Sequence, residues 1–229
     1  NLTAQEMEEA STVLTGGKVS HVQIGAFLVM LEKQGITFDE LAGAARMMRR
    51  AAAFIDCGQR DVVDVVGTGG DRSNSFNIST TSAFVAAGAG VPMAKHGNRA
   101  ATSKCGAADV LAELGVNLDA PAEVVENAIT EHGIGFLYAP KMHPVMAKMK
   151  VVRHELGIPT IFNLLGPLTN PAGARSQVIG VYSPRLTELF AAALRELGSR
   201  RAMVVHGMDG LDEISSCAPT RVSELKDGE

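Results

Sequence analysis

Cysteine is scarce: Cys57, Cys105 and Cys217 are the only three in 229 residues, far apart and without a CxxC pair. A disulfide framework is not expected from that spacing, and a reducing cytoplasm is the plain expectation. No apolar run approaches the roughly 20 residues a membrane helix needs. The opening Asn1-Leu2-Thr3-Ala4-Gln5-Glu6 has neither the basic nor the apolar stretch of a secretory signal. It also lacks Met, so further residues are expected upstream. An excess of positive charge is missing too: the formal net charge is −4, so no global field attracts nucleic acid. The six histidines form no HxH or HExxH; His143 and His154 stand eleven apart, and His21 and His132 read as surface helix residues. There is no internal repeat and no low-complexity segment. What remains is a chain that is 46% hydrophobic with 24 glycines, enough for a large core and one or two domains.

Residues 1–56 read as helices. Thr3 with Glu6 forms a capping-box pattern, Ser20 caps a segment carrying Val22, Ile24, Phe27, Leu28 and Leu31, and Phe38-Asp39-Glu40 opens a third helix ending at Arg49 and Arg50. From residue 61 the pattern becomes alternating strands and helices. Strands are expected over 61–66, 91–94, 134–138, 176–182 and 202–205. Helices are expected over 83–89, 107–114, 122–132 and 184–197. That alternation implies a mainly parallel sheet. Pro140, Pro144 and Pro159 interrupt it over 140–166, a stretch expected to pack with the N-terminal helices. The ten methionines read as core filler. The polar end, Glu224 to Glu229, follows a strand-like segment with no closing element. The fold class is therefore α/β, with a helical domain (1–60, joined by 140–166) and an incomplete α/β domain (61–139 and 167–229).

Three loops carry the chemistry. Asp64-Val65-Val66-Gly67-Thr68-Gly69-Gly70-Asp71 is an apolar strand ending in three glycines within four positions, followed by Asn77-Ile78-Ser79-Thr80. Glycines there let backbone N–H groups come close to a ligand. Donors converging at a helix N-terminus suit an anion, most often phosphate. The motif is neither the dinucleotide GxGxxG nor the Walker loop, and alone it would also fit a tight turn. Lys95-His96-Gly97-Asn98-Arg99 follows the next strand, with Thr102, Ser103 and Lys104 beyond; a solvated basic turn is the plainer reading. Asp209-Gly210-Leu211-Asp212-Glu213 follows a third strand, where adjacent carboxylates suit Mg²⁺ beside a phosphate. Ligands of open α/β sheets bind at the carboxyl ends of strands, so one shared site explains all three. Arg153 offers a planar fork for a carboxylate.

GTGGD, NIST, KHGNR, the Ile161–Ala172 stretch IFNLLGPLTNPA and the Val205–Ser215 stretch VHGMDGLDEIS together resemble the anthranilate phosphoribosyltransferase family, in order and over essentially the whole chain. The resemblance implies transfer of the 5-phosphoribosyl group from phosphoribosyl diphosphate to the amine of anthranilate, in tryptophan biosynthesis, with Mg²⁺ as cofactor. It implies a small helical domain, a larger α/β domain and a homodimer formed through the helical one. By motif position, Gly67, Gly70, Asp71, Ser75, Asn77, Ile78, Ser79, Thr80, Lys95, Ser103 and Ala107 meet phosphoribosyl diphosphate. Gly67, His96, Asn98 and Arg153 meet anthranilate. Ser79, Asp212 and Glu213 ligate the metal. Ala107 stands where the family often has serine, and Met149-Lys150 where many members have Gly-Pro before the Val-Arg pair. Family chains run longer, so a C-terminal part of the α/β domain is expected to be missing.

The chemistry needs no strong base, because an aromatic amine is uncharged at neutral pH, and no His–carboxylate pair demands one. Leaving-group stabilisation and positioning are expected to dominate. A pyrimidine nucleoside phosphorylase would use free phosphate, and the Asp212-Glu213 pair and KHGNR favour the transferase. A nucleic-acid-binding homologue would show a basic surface and lost metal ligands.

Overall fold

The computed structural model describes residues 1–71, 73–100 and 104–229. Three helices open the chain: α1 (Ala4–Thr15), α2 (His21–Gln34) and α3 (Phe38–Ala51). Each begins on a capping box, Thr3–Glu6, Ser20–Gln23 and Thr37–Glu40, so the first backbone donors are satisfied locally. α1 crosses α3 closely; a Cβ on Gly43 would lie 2.2 Å from the Ala4 carbonyl oxygen.

The sheet follows with β1 (Val63–Gly67), β2 (Met93–Gly97), β3 (Ile134–Tyr138), β4 (Ser176–Gly180), β5 (Arg201–Gly207) and β6 (Thr220–Lys226), in spatial order β3-β2-β1-β4-β5-β6. The first five strands run parallel; β6 is antiparallel to β5. Helix α4 (Ile78–Gly88) connects β1 to β2, α5 (Ala107–Glu113) and α6 (Ala122–His132) connect β2 to β3, and α9 (Leu186–Glu196) connects β4 to β5. Between β3 and β4 lie α7 (Ala139–Met142), α8 (Ala147–Leu156) and single 3₁₀ turns at 144–146, 161–163 and 166–168. The strand order reverses between β1 and β4. A crevice opens at such a switch point, outside the carboxyl ends of the two strands.

One core cluster joins Met7, Leu28 and Leu41 of the helices, Met149 and Val152 of α8, Ile161 and Leu165, and Ile179, Phe190 and Val204 of the α/β layer. The 140–166 stretch thus shares its core with α1–α3 and with the sheet. Not all methionines fill that core: Met30, Met203 and Met208 are exposed.

Two boundaries differ from the sequence reading in ways that matter. α4 starts at Ile78, five residues before the apolar stretch that suggested it. Strand β2 runs on through Gly97, so Lys95 and His96 are strand residues, both buried, rather than a polar loop. Buried partners for both side chains make this possible.

Candidate active site

Asp64 is the only charged residue of β1 and is fully buried. Its Oδ1 accepts from the His96 N–H at 3.1 Å and its Oδ2 from the Asn170 amide at 2.8 Å. Asn170 also donates to the Ala94 carbonyl at 2.8 Å and accepts from Ala172 N–H. One carboxylate thereby ties β1, β2 and the segment after the last 3₁₀ turn. Burial pushes this carboxyl up to about 6, with the Lys95 ammonium pulling the other way. Lys95 is its partner in charge. The Lys95 ammonium donates to the Val65 carbonyl at 2.6 Å and to Ser79 Oγ at 3.4 Å. Burial lowers its pKa, opposed by Asp64 and Glu213. A buried ammonium held between carboxylates stays useful only if its charge is kept.

Across the crevice, the β5–β6 loop is shaped by Asp209. Its Oδ2 accepts from Ser215 Oγ at 2.7 Å and its Oδ1 from Leu211 N–H at 3.4 Å. That loop places Asp212 and Glu213 at the ends of β1 and β4. The Asp212 N–H lies 3.5 Å from Asp71 Oδ2. Burial, and next the charge of Asp71, push the Asp212 carboxyl up to about 6. Burial and then Asp212 push Glu213 up to about 7, against Lys95 and the Ser79 main chain. Asp212 and Glu213 therefore crowd each other beside Ser79, with Asp71 next to Asp212, an arrangement that favours a hard divalent cation. Among the described residues no three His, Cys, Asp or Glu side chains are grouped as a metal cage. This fits Mg²⁺, which is usually held by one or two carboxylates plus substrate phosphate oxygens.

Gly67 and Gly180 face one another in register on β1 and β4. A Cβ on Gly67 would lie 3.1 Å from Asp212 Oδ2, and one on Gly180 would lie 1.6 Å from the Asp212 carbonyl oxygen. Both glycines make the slot that admits the acidic loop. Gly69 and Gly70 have φ of 66° and 90°, positions that favour glycine. At the start of α4, Asn77 makes no side-chain cap; its amide donates instead to the Cys105 carbonyl at 3.2 Å. At this helix start the Ile78 N–H donates to the Phe76 carbonyl at 2.7 Å and the Ser79 N–H faces the Glu213 carboxylate, so the end of α4 already holds a negative group. The Thr80 hydroxyl is buried without a partner among the described residues, and Ser75 is exposed with its N–H on Ser73 Oγ.

The remaining expected site residues divide. Ala107 opens α5, against Gly97. Asn98 is exposed, its side-chain oxygen accepting from Arg99 N–H at 2.8 Å. His96 lies beneath the surface: its Nδ1 donates to the Gly166 carbonyl at 3.1 Å and its ring meets His143 edge-on at 5.1 Å. Burial, and then His143, push His96 down to about 3, so the ring is neutral. Arg153 sits in the last turn of α8; burial lowers its pKa, and its guanidinium has no hydrogen bond or ion pair among the described residues. Ser103 lies outside the described residues. Sequence reasoning overlooked Asp64, Asn170 and Tyr182. Asp64 had a signal, a lone charge inside an apolar strand; Tyr182 had none.

Comparison with known proteins follows this geometry. A family described as "glycosyl transferase family, helical bundle domain" matches residues 1–52, and "glycosyl transferase family, a/b domain" matches 59–229. The anthranilate phosphoribosyltransferase of Syntrophobacter fumaroxidans is 60% identical over 228 residues, covering 100% of this chain and 68% of its own. The crystal structure of the Thermus thermophilus enzyme superposes with TM-score 0.90 at 45% identity, over 98% of this chain and 70% of that one. The Saccharomyces cerevisiae enzyme in complex with phosphoribosyl diphosphate and Mg gives 0.87 at 32% identity, over 98% and 68%. The chain thus spans about two thirds of the length of these relatives.

Proposed function

Since the chain belongs to the anthranilate phosphoribosyltransferase family, we propose that its three loops perform the family's transfer in tryptophan biosynthesis in the following way. The carrying observation is the convergence, at the β1/β4 switch point, of the α4 N-terminus, a buried ammonium and two mutually crowded carboxylates. Gly67, Gly70, Asp71, Ser75, Asn77, Ile78, Ser79, Thr80, Lys95, Ser103 and Ala107 hold phosphoribosyl diphosphate. Ser79, Asp212 and Glu213 hold Mg²⁺, which supplies neutralising charge for the diphosphate when bound. Gly67, Asn98 and Arg153 position anthranilate, its carboxylate on the Arg153 guanidinium, with His96 supporting the floor.

The anthranilate nitrogen lone pair forms a bond to ribose C1 as the C1–O bond to diphosphate breaks. Diphosphate departs with both bonding electrons. The nitrogen then loses one proton to water. Positive charge builds on the sugar and negative charge on the leaving group, so Lys95 and the α4 N–H groups act where charge develops. No residue need act as base, and orientation of the two substrates supplies the rest. In this reading residues 1–60 with 140–166 form the helical domain, which pairs with a second copy as a homodimer. The protein works in the cytoplasm; no helix among the described residues is long and apolar enough to cross a membrane.

The test is loss of anthranilate fluorescence on mixing with phosphoribosyl diphosphate and Mg²⁺. Consumption that requires all three supports the assignment. Phosphate-dependent nucleoside cleavage instead would overturn it.

A further inference from the structure

Tyr182 follows the last residues of β4 and belongs to none of the motifs above. Its backbone N–H donates to Thr68 Oγ1 at 3.2 Å, while the Thr68 N–H donates to the Gly180 carbonyl at 2.9 Å. The β1/β4 ladder is thereby extended past its end into the glycine loop. The ring does something separate. A Cβ on Gly70 would stand 3.8 Å from Tyr182 Cδ1 and 4.0 Å from Cγ. The ring therefore stands beside Gly70, on the side where a side chain would project and with space for a Cβ between them. Gly69 has nothing within 4 Å in the same sense. Both residues have positive φ and are exposed; the Gly69 N–H faces the Asp212 carboxylate and its carbonyl accepts from Thr68 Oγ1 at 3.2 Å, while Gly70 has the Tyr182 ring beside it. Behind it the ring borders a cavity of about 140 Å³, lined by Glu32, Ile36, Leu164, Leu186 and Leu189 among others. Burial, with Glu32 second, raises the phenol pKa. So the ring, 39% exposed, lies between the loop after β1 and a cavity lined by residues of the helical part.

We infer that Tyr182 is a positioning residue for phosphoribosyl diphosphate: its ring is the backstop that holds Gly69-Gly70-Asp71 in the binding conformation. The inference rests on the assignment of that loop to the diphosphate substrate. It follows from the division of labour at Tyr182. The main chain anchors Thr68 whatever the side chain, and the ring is what stands where a Gly70 side chain would project. Without the ring, Gly70 gains an open flank, and glycine has more backbone freedom to lose on ordering than any other residue. Ordering would then be paid at binding, which appears as weaker affinity for the substrate the loop holds. Anthranilate, placed on Arg153 and Asn98, would feel little of it. The phenol oxygen has no part in this, so phenylalanine should serve.

The experiment compares wild type, Tyr182→Phe and Tyr182→Ala by calorimetric titration with phosphoribosyl diphosphate and Mg²⁺, and by steady-state turnover. Tyr182→Ala should weaken phosphoribosyl diphosphate binding roughly fivefold to tenfold and raise its KM in parallel, with the anthranilate KM changed less than about twofold. Tyr182→Phe should match wild type in both. A thermal melt accompanies each variant, and Tyr182→Leu provides a second non-aromatic filling should the alanine protein unfold. Unchanged phosphoribosyl diphosphate affinity in the non-aromatic variants overturns the inference. Equal rises in both KM values also overturn it, because they would mark the ring as ordinary packing. Wild type that fails to bind phosphoribosyl diphosphate would overturn the functional assignment itself, a result distinct from either.

Discussion

At the scale of single residues, the site is a set of charges placed where water cannot easily reach them. Arg153 is half-buried, and its guanidinium is unpaired among the described residues. A guanidinium in that state is poised for a planar carboxylate, and its loss removes a charge-assisted bidentate contact. Arg153→Ala should raise the anthranilate KM more than tenfold, about 2 kcal/mol, and leave that for phosphoribosyl diphosphate nearly unchanged. Equal effects on both substrates would assign Arg153 to folding. The acidic pair gives a pH dependence. Asp212 and Glu213 ordinarily titrate near 3.8 and 4.5 and stand at about 6 and 7 in the folded chain. A raised carboxyl favours its protonated form in the fold. Ligand-free stability therefore falls as pH rises from the ordinary values to the folded ones, and is level above about 7. The pair titrates together, so the same protons compete with Mg²⁺. The Mg²⁺ concentration for half-maximal activity should drop roughly tenfold between pH 6 and 8 and then stay flat. Mg²⁺ titrations at fixed substrate measure it; a requirement independent of pH over that range would remove these carboxylates from the metal site.

At the scale of elements, the facing glycines at the ends of β1 and β4 decide how the acidic loop docks. Both have ordinary φ, so alanine brings contact rather than backbone strain. At Gly67 the added Cβ meets the tip of a side chain, Asp212 Oδ2 at 3.1 Å, which can rotate aside. At Gly180 it meets main chain at 1.6 Å, which cannot. Gly67→Ala should keep stability within about 0.5 kcal/mol yet weaken Mg²⁺ binding severalfold. Gly180→Ala should displace the loop, costing on the order of 3 kcal/mol or preventing folding. Urea midpoints with Mg²⁺ titration distinguish the two, and an unchanged Mg²⁺ titration for Gly67→Ala would mean Asp212 is not held at the strand end. Much of this scaffold was legible in advance. α6 and β3 match their expected spans residue for residue, because Pro121 before the helix, Gly133 after it and an apolar run mark them plainly. β2 was misjudged because Lys95-His96 reads as loop unless the buried Asp64 opposite is known. α4 was found late because Ser79 and Thr80 are weak helix formers whose hydroxyls suit a ligand better than a helix. The role of Asp64 needs a partner 106 residues away, and that of Tyr182 needs the space beside a glycine. No local pattern carries either.

At the scale of the molecule, the crevice is useful only if the helical part and the sheet keep a fixed relation. One apolar cluster runs through both, from Met7 and Leu41 to Phe190 and Leu194. Arg49, at the end of α3, adds a polar clamp across the same boundary. Its Nε donates to the Leu168 carbonyl at 2.7 Å and its Nη1 to the Leu197 carbonyl at 3.3 Å. Those carbonyls end a 3₁₀ turn and α9, where acceptors lack helical partners. A cation there also complements the helix dipole. Burial lowers the guanidinium to about 10, so it remains charged at neutral pH. Arg46, one turn earlier, pairs with Glu196 at the surface, a contact of little worth by itself. Arg49→Ala leaves two acceptors without their donor and opens a gap at the joint. The expected loss is about 2–3 kcal/mol, well above the few tenths expected for Arg46→Ala. Because the core cluster is shared, the Arg49 variant should still unfold in a single transition, merely shifted to lower urea. Circular dichroism, dominated by the helices, and tyrosine fluorescence from Tyr138 and Tyr182 on the sheet side should lose signal together. Two separated transitions, in wild type or variant, would show that the helical part and the sheet fold as independent units and that the clamp, not the core, joins them.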